Sequence, residues 1–370
     1  MRTMRGVLLS EPGAVEVVDD LEIAEPRSGE VLVRVSHCGL CHSDLSVVDG
    51  SFPSPLPVVL GHEAAGTIEA IGPGVTSVAV GDPVILTPTP SCGRCYYCVR
   101  HQPTLCQVHS VALFTALLPD GVTPLSRKGQ PVYRGLAAAA FGEFTVMPEA
   151  AVVKVDPDVP LETACVLGCA VQTGMGAVLN TAKVEEGATV LVQGAGGIGI
   201  AVTQGARIAG AAMIVVADPV AERREAALRF GATHVLDPGD ADVPSACFDL
   251  TGGIGMDYCF EAAGLAALIE TGIAASRPGG TTVCVGAPPI DQGISLPAVI
   301  GFTATEKKLL GCLLGSCDSH REVPRLLALW KAGRLDLEGM ITSRRPLAEA
   351  GAAIADLQAR QGIRTVLQVA

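Results

Sequence analysis

The chain has 370 residues, of which 49% are hydrophobic and 17% charged, so it can bury a sizeable core and is not intrinsically disordered. Its formal net charge of -12 and its 4% aromatic content argue against nucleic acid or an anionic membrane as the main partner, because both need clustered basic residues. This length is typical of two domains.

The N-terminus reads MRTMRGVLLSEPG, and Glu11 and Pro12 end its apolar run before it reaches the length of a signal-peptide core. No later segment has the length and apolar character needed to span a bilayer without polar interruption. We therefore expect a cytoplasmic protein. Its 13 cysteines would then be reduced, which makes grouped cysteines candidates for metal ligands rather than disulfides.

The first 170 residues or so are mostly β in pattern, with short apolar or alternating runs such as 31–35 and 66–71 between Gly and Pro turns. Within them, GHEAAG at 61–66 holds His62 and Glu63 between small residues, which we interpret as two turns. A lone histidine in such a stretch is usually structural, so its role depends on the rest of the chain.

Four closely spaced cysteines follow in CGRCYYCVRHQPTLC, with the spacing C-x2-C-x2-C-x7-C: Cys92, Cys95, Cys98 and Cys106. Four thiolates indicate a closed, tetrahedral zinc site that stabilises a lobe at about residues 90–108. An iron–sulfur cluster is the alternative, but its usual run ends in C-x3-C-P, which this spacing lacks.

Beyond about residue 175 strands alternate with helices, which predicts a parallel sheet with crossovers. Strands are predicted at 189–193, 213–217 and 235–237, and a helix at 219–230 that ends at Gly231. The last fifty residues predict two helices and a terminal strand, at about 321–331, 348–358 and 364–369.

The stretch VLVQGAGGIGIAV places Gly194, Gly196 and Gly199 in G-x-G-x-x-G spacing, with Gly197 as an extra glycine. The motif follows a strand and opens a helix, and Asp218 ends the next strand, as in a dinucleotide-binding fingerprint. A structural turn in an unrelated α/β domain is the alternative. Because Asp218 would bind ribose hydroxyls and repel a 2′-phosphate, we expect NAD rather than NADP.

A second metal set is suggested by Cys41 in CGLCHSD, His62, and the distant Cys169 in LGCAVQTG. Two thiolates and one imidazole are a ligand set of catalytic zinc, which keeps one position open. The spacing alone is weak evidence, because a chain with 13 cysteines offers many such triples.

CGLCHSD, GHEAAG, the four-cysteine lobe, LGCAVQTG and GAGGIG occur together in an order that resembles the zinc-containing alcohol dehydrogenases of the medium-chain dehydrogenase/reductase superfamily. The resemblance runs from about residue 5 to the C-terminus. It implies an α/β protein with a GroES-like, β-rich catalytic domain (1–172 and 314–370), a Rossmann doubly wound NAD-binding domain (173–313), and an active site between them.

The resemblance implies two zinc ions per chain, with catalytic ligands Cys41, His62 and Cys169. It also implies that Asp44 orients the ligand imidazole, that Glu63 lies beside the metal, and that Ser43 passes the alcohol proton outward. For the cofactor it implies contacts from a further set of residues besides the glycine loop and Asp218: His42, Thr173, Ile198, Arg223 and Arg364.

Some positions depart from the pattern of the family. Ser46 stands where several vertebrate-type members carry the histidine that ends the proton relay. Three predicted substrate-pocket positions carry small residues where the family often has larger ones: Pro88, Gly135 and Ala287. Three others remain apolar: Phe52, Val111 and Leu136. We therefore expect a roomy pocket for bulky primary alcohols of the benzylic, allylic or terpenoid kind.

The resemblance therefore predicts reversible, NAD-dependent oxidation of an alcohol to its aldehyde by a homodimer. A formaldehyde dehydrogenase that acts on thiol adducts, and a nicotinoprotein with permanently bound NAD, are close alternatives. A polyol dehydrogenase is disfavoured because Cys169 stands where those usually carry Glu, and zinc-free quinone reductases lack both metal sets. A non-catalytic protein on the same fold is disfavoured because the ligand set is complete.

Overall fold

The computed structural model describes residues 1–296 and 299–370. The chain folds into two compact units, which are described separately. The first comprises Met1–Cys169, Asp318–Ala332 and Leu337–Ala370, and the second comprises Ala170–Cys317 and Gly333–Asp336. The grouping of Gly333–Asp336 with the second unit was not expected from the sequence.

The first unit contains a closed barrel of five strands in the order β1-β2-β7-β8-β4. Beside it, a seven-stranded sheet has the order β10-β6-β5-β3-β18-β17, with β9 paired to β3. The strands are β1 Arg2–Leu9, β2 Val15–Ile23, β3 Glu30–Gly39, β4 Val58–Val59, β5 Glu63–Ile71, β6 Pro83–Leu86, β7 Leu125–Arg127, β8 Gln130–Arg134, β9 Phe144–Pro148, β10 Val152–Lys154, β17 Ile341–Pro346 and β18 Arg364–Gln368.

Five helices accompany these strands: α1 His42–Val48, α2 Ala112–Thr115, α3 Leu161–Ala164, α10 Ser319–Lys331 and α11 Ala350–Gln358. Alternate residues of β3, such as Val31, Val33 and Val35, are fully buried in the main core of this unit. Leu32, on the opposite face of β3, is fully buried in a second core, so both faces of this strand are covered there.

The second unit is built on a six-stranded parallel sheet in the order β13-β12-β11-β14-β15-β16. This is the strand order of a doubly wound dinucleotide-binding sheet. The strands are β11 Thr189–Gln193, β12 Met213–Ala217, β13 His234–Leu236, β14 Met256–Glu261, β15 Ser276–Cys284 and β16 Lys308–Gly311, and the helices are α4 Ala170–Gly176, α5 Gly197–Ala209, α6 Ala221–Phe230, α7 Val243–Leu250, α8 Ala266–Ala275 and α9 Val299–Ala304.

The predicted strands and helices of the α/β region and of the C-terminus are confirmed, with small differences at their ends. Gly231 ends α6 in a left-handed conformation, as the sequence predicts (φ 116°). The β run at 66–71 is confirmed within β5, but this strand already begins at Glu63, so the turn expected at the Gly66 end of GHEAAG is wrong. Gly66 lies inside β5, where a Cβ would come within 2.3 Å of the Arg34 carbonyl oxygen on β3.

Within the described ranges no single helix is long and apolar enough to cross a membrane, although the bent pair Leu161–Gly168 and Ala170–Ala182 passes that test by length and composition alone.

Candidate metal and cofactor sites

The side chains of Cys41, His62 and Cys169 meet in the interior of the first unit. Their ligand atoms all lie within 4.8 Å of one another, and all three residues are buried. Cys41 immediately precedes α1, and His62 immediately precedes β5. Both residues therefore stand at the ends of regular elements, which hold the ligand atoms more rigidly than a free loop would.

The electrostatics of this trio favour metal binding. The pKa of the Cys41 thiol lies well below its usual range because the Cys169 thiol hydrogen-bonds to it, and the pKa of Cys169 is raised by the same contact. Burial would lower the pKa of His62, but Asp44 and Cys41 together raise it. The surroundings of Cys41 thus favour its thiolate form, and a divalent cation would supply the positive charge that a thiolate needs beside it.

Asp44 organises the trio through three contacts. Its Oδ2 accepts the backbone N–H of Cys41 at 3.0 Å, and its Oδ1 accepts the N–H of Gly61 at 3.0 Å. Nδ1 of His62 lies 3.2 Å from the same Oδ1. Because Nδ1 is engaged with Asp44, Nε2 is the atom that His62 can offer to a metal.

Glu63 and Arg364 form a buried ion pair in the same unit. Nε of Arg364 lies 3.4 Å from Oε1 of Glu63, and its Nη1 donates to the Leu40 carbonyl oxygen at 2.6 Å. Burial would lower the pKa of Arg364, but Glu63 raises it. Gly39 makes room for this carboxylate, since a Cβ there would lie 2.0 Å from Oε1 of Glu63.

The predicted relay residue Ser43 and the predicted cofactor contact His42 lie on the first turn of α1. Oγ of Ser43 is 3.7 Å from Sγ of Cys41, which places this hydroxyl beside the metal trio. His42 is exposed as the first residue of the helix. Ser46, in contrast, is buried and donates to the His42 carbonyl oxygen at 3.2 Å.

The four-cysteine lobe brings its sulfur atoms together as the spacing predicts. The ligand atoms of Cys92, Cys95, Cys98 and Cys106 all lie within 4.8 Å of one another. The backbone N–H of Cys98 lowers the pKa of Cys95 to about 6, whereas burial raises the pKa of Cys106 to about 12. Backbone N–H groups aimed at sulfur are typical of thiolate metal sites.

Both donor sets fit zinc, and they differ in whether a coordination position of the metal stays free for another ligand. Four thiolates complete a tetrahedron, so the lobe site would be closed and structural. The buried set of two thiolates and one imidazole supplies only three protein donors and leaves a fourth position for another ligand.

In the second unit, the glycine loop joins β11 to α5. Gly194 has a φ of 94°, which favours glycine, and a Cβ on Gly199 would lie 1.7 Å from the Gly194 carbonyl oxygen. Around Gly196 a Cβ would meet no atom within 4 Å. This open space lies at the N-terminus of a 13-residue helix, where N–H groups and the helix dipole attract phosphate.

Asp218 lies at the end of β12 and is tied to the glycine loop. Its Oδ2 accepts the N–H of Ala195 at 2.7 Å, and its Oδ1 accepts the N–H of Val220 at 2.8 Å. Arg223 is half-buried on α6. The neighbouring Arg224 donates to the Asp218 carbonyl oxygen at 2.6 Å and pairs with Asp237 at 2.8 Å, which the sequence reasoning missed.

The two residues predicted to pack on the nicotinamide also belong to the second unit. Thr173 is buried on α4, and Ile198 is half-buried in the first turn of α5, directly after Gly197. Both lie on helices rather than on loops, so their backbone positions are fixed.

The predicted substrate-pocket residues fall in both units. Phe52 and Phe114 stack with ring centroids 5.7 Å apart, and Val111 is exposed immediately before α2, the short helix that contains Phe114. Phe114 was missed because a single exposed aromatic carries no sequence signal. The other positions differ in burial, with Pro88 and Leu136 buried in the first unit, and Ala287 exposed in the second.

Gly135 has a packing role that is independent of any substrate. A Cβ at this position would lie 2.6 Å from the Val59 carbonyl oxygen. The lack of a side chain therefore lets the backbone just after β8 approach β4 closely, and it does not by itself enlarge a pocket.

Comparison with known proteins bears on the fold and on the family of the chain. Residues 27–157 match the model of the alcohol dehydrogenase GroES-like domain, and residues 197–332 match that of the zinc-binding dehydrogenases. These matches, with the barrel and the parallel sheet, confirm the predicted fold class.

Full-length relatives extend the match to the whole chain. S-(hydroxymethyl)glutathione dehydrogenase of Escherichia coli O1:K1 is 36% identical over 98% of this chain and 99% of that protein. A zinc-binding-domain alcohol dehydrogenase from Burkholderia ambifaria has a TM-score of 0.93, 35% identity, and coverage of 100% of this chain and 99% of that one. Benzyl alcohol dehydrogenase from Acinetobacter calcoaceticus has a TM-score of 0.94 and 31% identity, with full coverage of both chains.

Proposed function

Because the chain belongs to the zinc-containing alcohol dehydrogenases of the medium-chain dehydrogenase/reductase superfamily, we propose that it oxidises a bulky primary alcohol to the aldehyde with NAD, and reverses that reaction. The observation that carries this proposal is the buried trio of Cys41, His62 and Cys169, which supplies three donors and leaves one position for a substrate. Zinc in that site would act as a Lewis acid that makes the alcohol hydroxyl more acidic.

The residues around the trio have separate roles in this proposal. Asp44 holds the imidazole of His62 and the backbone at Cys41 in place. Ser43 is near enough to the trio to accept the alcohol proton and pass it outward. Because Ser46 is buried and donates to a backbone carbonyl, we propose that the exposed His42, rather than Ser46, stands nearest to solvent at the end of this path.

The second unit would hold the cofactor. We propose that the pyrophosphate of NAD lies against Gly196 and the N-terminus of α5, and that Asp218 accepts the ribose hydroxyls. When bound, NAD would supply the redox chemistry as the hydride acceptor, and the second unit would hold it in place. Five further residues stay predicted cofactor contacts: His42, Thr173, Ile198, Arg223 and Arg364.

An aromatic or allylic alcohol is the substrate class that the lining residues favour. Phe52 and Phe114 offer a stacked aromatic pair, and Val111 and Leu136 are apolar. The similarity to a benzyl alcohol dehydrogenase supports the same class. The 36% identity to an S-(hydroxymethyl)glutathione dehydrogenase makes the thiol adduct of formaldehyde the second candidate substrate.

The test is NAD reduction by the zinc-loaded protein with ethanol, benzyl alcohol, cinnamyl alcohol, a terpene alcohol, and formaldehyde mixed with glutathione. A kcat/KM for the bulky alcohols well above those for ethanol and for the adduct is expected. Efficient turnover of the adduct alone would favour the second candidate. Turnover only with an artificial electron acceptor would indicate permanently bound NAD. A homodimer in the cytoplasm stays a prediction.

A further inference from the structure

Glu261 is a buried residue at the C-terminal end of β14, with an exposed fraction of 0%. Its Oε1 accepts three consecutive backbone N–H groups, from Ala263 at 2.7 Å, Gly264 at 2.6 Å and Leu265 at 3.2 Å. Burial raises the pKa of this carboxyl, whereas the N–H groups lower it. One buried oxygen atom therefore holds the segment 262–265, which we call the β14 loop.

The main chain of Glu261 holds a second loop, which follows β15. Its carbonyl oxygen accepts the N–H groups of Val285 and Gly286, both at 3.0 Å. A Cβ on Gly286 would lie 2.6 Å from Oε2 of Glu261, so this loop also lies close to the carboxylate. We call the segment 285–287 the β15 loop, and it ends at the predicted substrate-pocket residue Ala287.

The two loops also contact each other directly. A Cβ on Gly286 would lie 2.3 Å from the backbone nitrogen of Gly264, and a Cβ on Gly264 would lie 3.1 Å from the Ala287 carbonyl oxygen. Gly264 has a φ of 78°, which favours glycine. Because backbone meets backbone at these points, a displacement of one loop displaces the other.

The position of the loops in the sheet relates them to the cofactor. The strand order reverses between β11 and β14, and a doubly wound sheet binds a dinucleotide beyond the C-terminal ends of its strands at that point. The N–H of Ala262 donates to the Gln193 carbonyl oxygen at 2.9 Å. A Cβ on Gly194 would lie 3.0 Å from Cβ of Ala263. The β14 loop thus packs against the glycine loop.

The β15 loop belongs to the other half of the site. A doubly wound sheet consists of two halves that each bind one mononucleotide. Asp218 lies at the end of β12, in the half that binds the adenosine. The half that contains β14 and β15 is therefore the one for the nicotinamide mononucleotide.

We propose that Glu261 is a positioning residue for NAD, which fixes the wall of the cofactor site from the glycine loop to the nicotinamide half by holding the two loops together. Glu261 is fully buried and its Oε1 binds backbone N–H groups, so it acts through the loops and does not contact the cofactor. Loss of its charge would weaken three hydrogen bonds at once and loosen both loops. This inference rests on the proposed NAD site of the second unit.

The test measures NADH binding to the zinc-loaded full-length protein by fluorescence titration. Glu261→Gln keeps an oxygen acceptor but removes the charge, and it should weaken NADH binding by about 10-fold. Asp257→Asn is the matched control, because Asp257 lies near the opposite end of the same strand and binds Thr189 and Arg277. It should lower Tm but leave the Kd for NADH within about twofold of the wild-type value.

Two outcomes of this titration would overturn the inference. The first is equal NADH affinity in wild type and Glu261→Gln. The second is an equal loss of affinity in Glu261→Gln and Asp257→Asn, which would show that any destabilisation of β14 has the same effect. Wild-type protein that binds no NADH would instead refute the NAD site itself, and the inference with it.

Hydrogen exchange of the wild type gives a second test, which needs no variant and is unaffected by a folding defect. Saturating NADH should slow amide exchange in both the β14 loop and the β15 loop by about 10-fold or more, because a ligand that binds the ordered loops suppresses their local opening. NADH binding that leaves the exchange of either loop unchanged would overturn the role of Glu261 while leaving the NAD site intact.

Discussion

Oδ1 of Asp44 lies 3.2 Å from Nδ1 of His62, on the side of the imidazole away from the atom that can bind a metal. The same carboxylate accepts the N–H groups of Cys41 and Gly61. The buried Asp44 side chain thus holds the backbone of Cys41, the backbone of Gly61 just before His62, and the imidazole ring of His62. The geometry of the trio depends on Asp44 as much as on the ligands.

Asp44→Asn should therefore weaken zinc binding at the buried trio by about 10–100-fold, because the amide lacks the charge and one of its acceptors. The measurement is competition for zinc with a chelator, together with kcat/KM. Asp49→Asn, at the exposed end of α1, is the matched control and should leave both unchanged. Normal zinc affinity in Asp44→Asn would show that the carboxylate does not position His62.

Cys95→Ser should remove the metal of the lobe and leave that of the buried trio. Zinc content should fall from about two to about one per chain, and proteolysis between residues 92 and 106 should accelerate, because structural zinc stabilises the fold around it. Cys284→Ser, a half-buried cysteine of the second unit, should keep both metals. Loss of both zinc ions from Cys95→Ser would contradict independent sites.

Asp218→Asn should raise the KM for NAD by about 10-fold or more, since hydrogen bonds to a charged acceptor contribute about 1.5–3 kcal/mol. It should also improve the use of NADP, because the repulsion of a 2′-phosphate is removed. Steady-state kinetics with both cofactors measure this. Asp240→Asn, which is exposed, serves as the control. An unchanged ratio of kcat/KM values for NAD and NADP would argue against ribose contact.

Asp257 offers a test of pH-dependent stability in the second unit. Its carboxylate accepts the N–H of Thr189 at 2.8 Å and Nε of Arg277 at 2.6 Å. Burial alone would raise its pKa, but these contacts lower the pKa below 3.8. The stabilisation is therefore complete above about pH 4 and disappears as the pH falls through the folded-state pKa.

Asp257→Asn should lower the free energy of unfolding by about 1–2 kcal/mol at pH 7, with a difference from wild type that shrinks below about pH 4. Urea unfolding at a series of pH values measures it. Asp249→Asn, an exposed aspartate on α7, should behave like the wild type. A difference that persists unchanged at pH 3 would assign the effect to packing rather than to charge.

Phe114→Ala should raise the KM for benzyl alcohol by about 2–10-fold and leave that for ethanol nearly unchanged, because aromatic pairs contribute about 0.5–1.5 kcal/mol. The exposed Val122→Ala in the same unit is the control. Equal effects on both alcohols would indicate that the stacked pair of Phe52 and Phe114 stabilises the fold around α2 and does not contact substrate.

The sequence predicted the strands and helices well, because residues that are adjacent in the chain determine them. The strand, glycine turn and helix around Gly194 are encoded in consecutive residues, and the same holds for the cysteine lobe. Gly66 was misinterpreted because its role depends on the Arg34 carbonyl oxygen on another strand. The burial of Arg134 was equally invisible, because an arginine in a strand is usually exposed, and Met147, which lies against it, is on a strand of the other sheet.

The close approach of Gly39 to Glu63 constrains how this protein can evolve. Any β-carbon at position 39 would collide with a buried carboxylate that is already paired with Arg364. A larger residue at 39 therefore requires the Glu63 carboxylate to move away from Arg364 or the side chain at 63 to be shortened, so substitutions at the two positions are coupled. A mutational library that varies position 39 alone should recover glycine, whereas one that varies 39 and 63 together has further solutions.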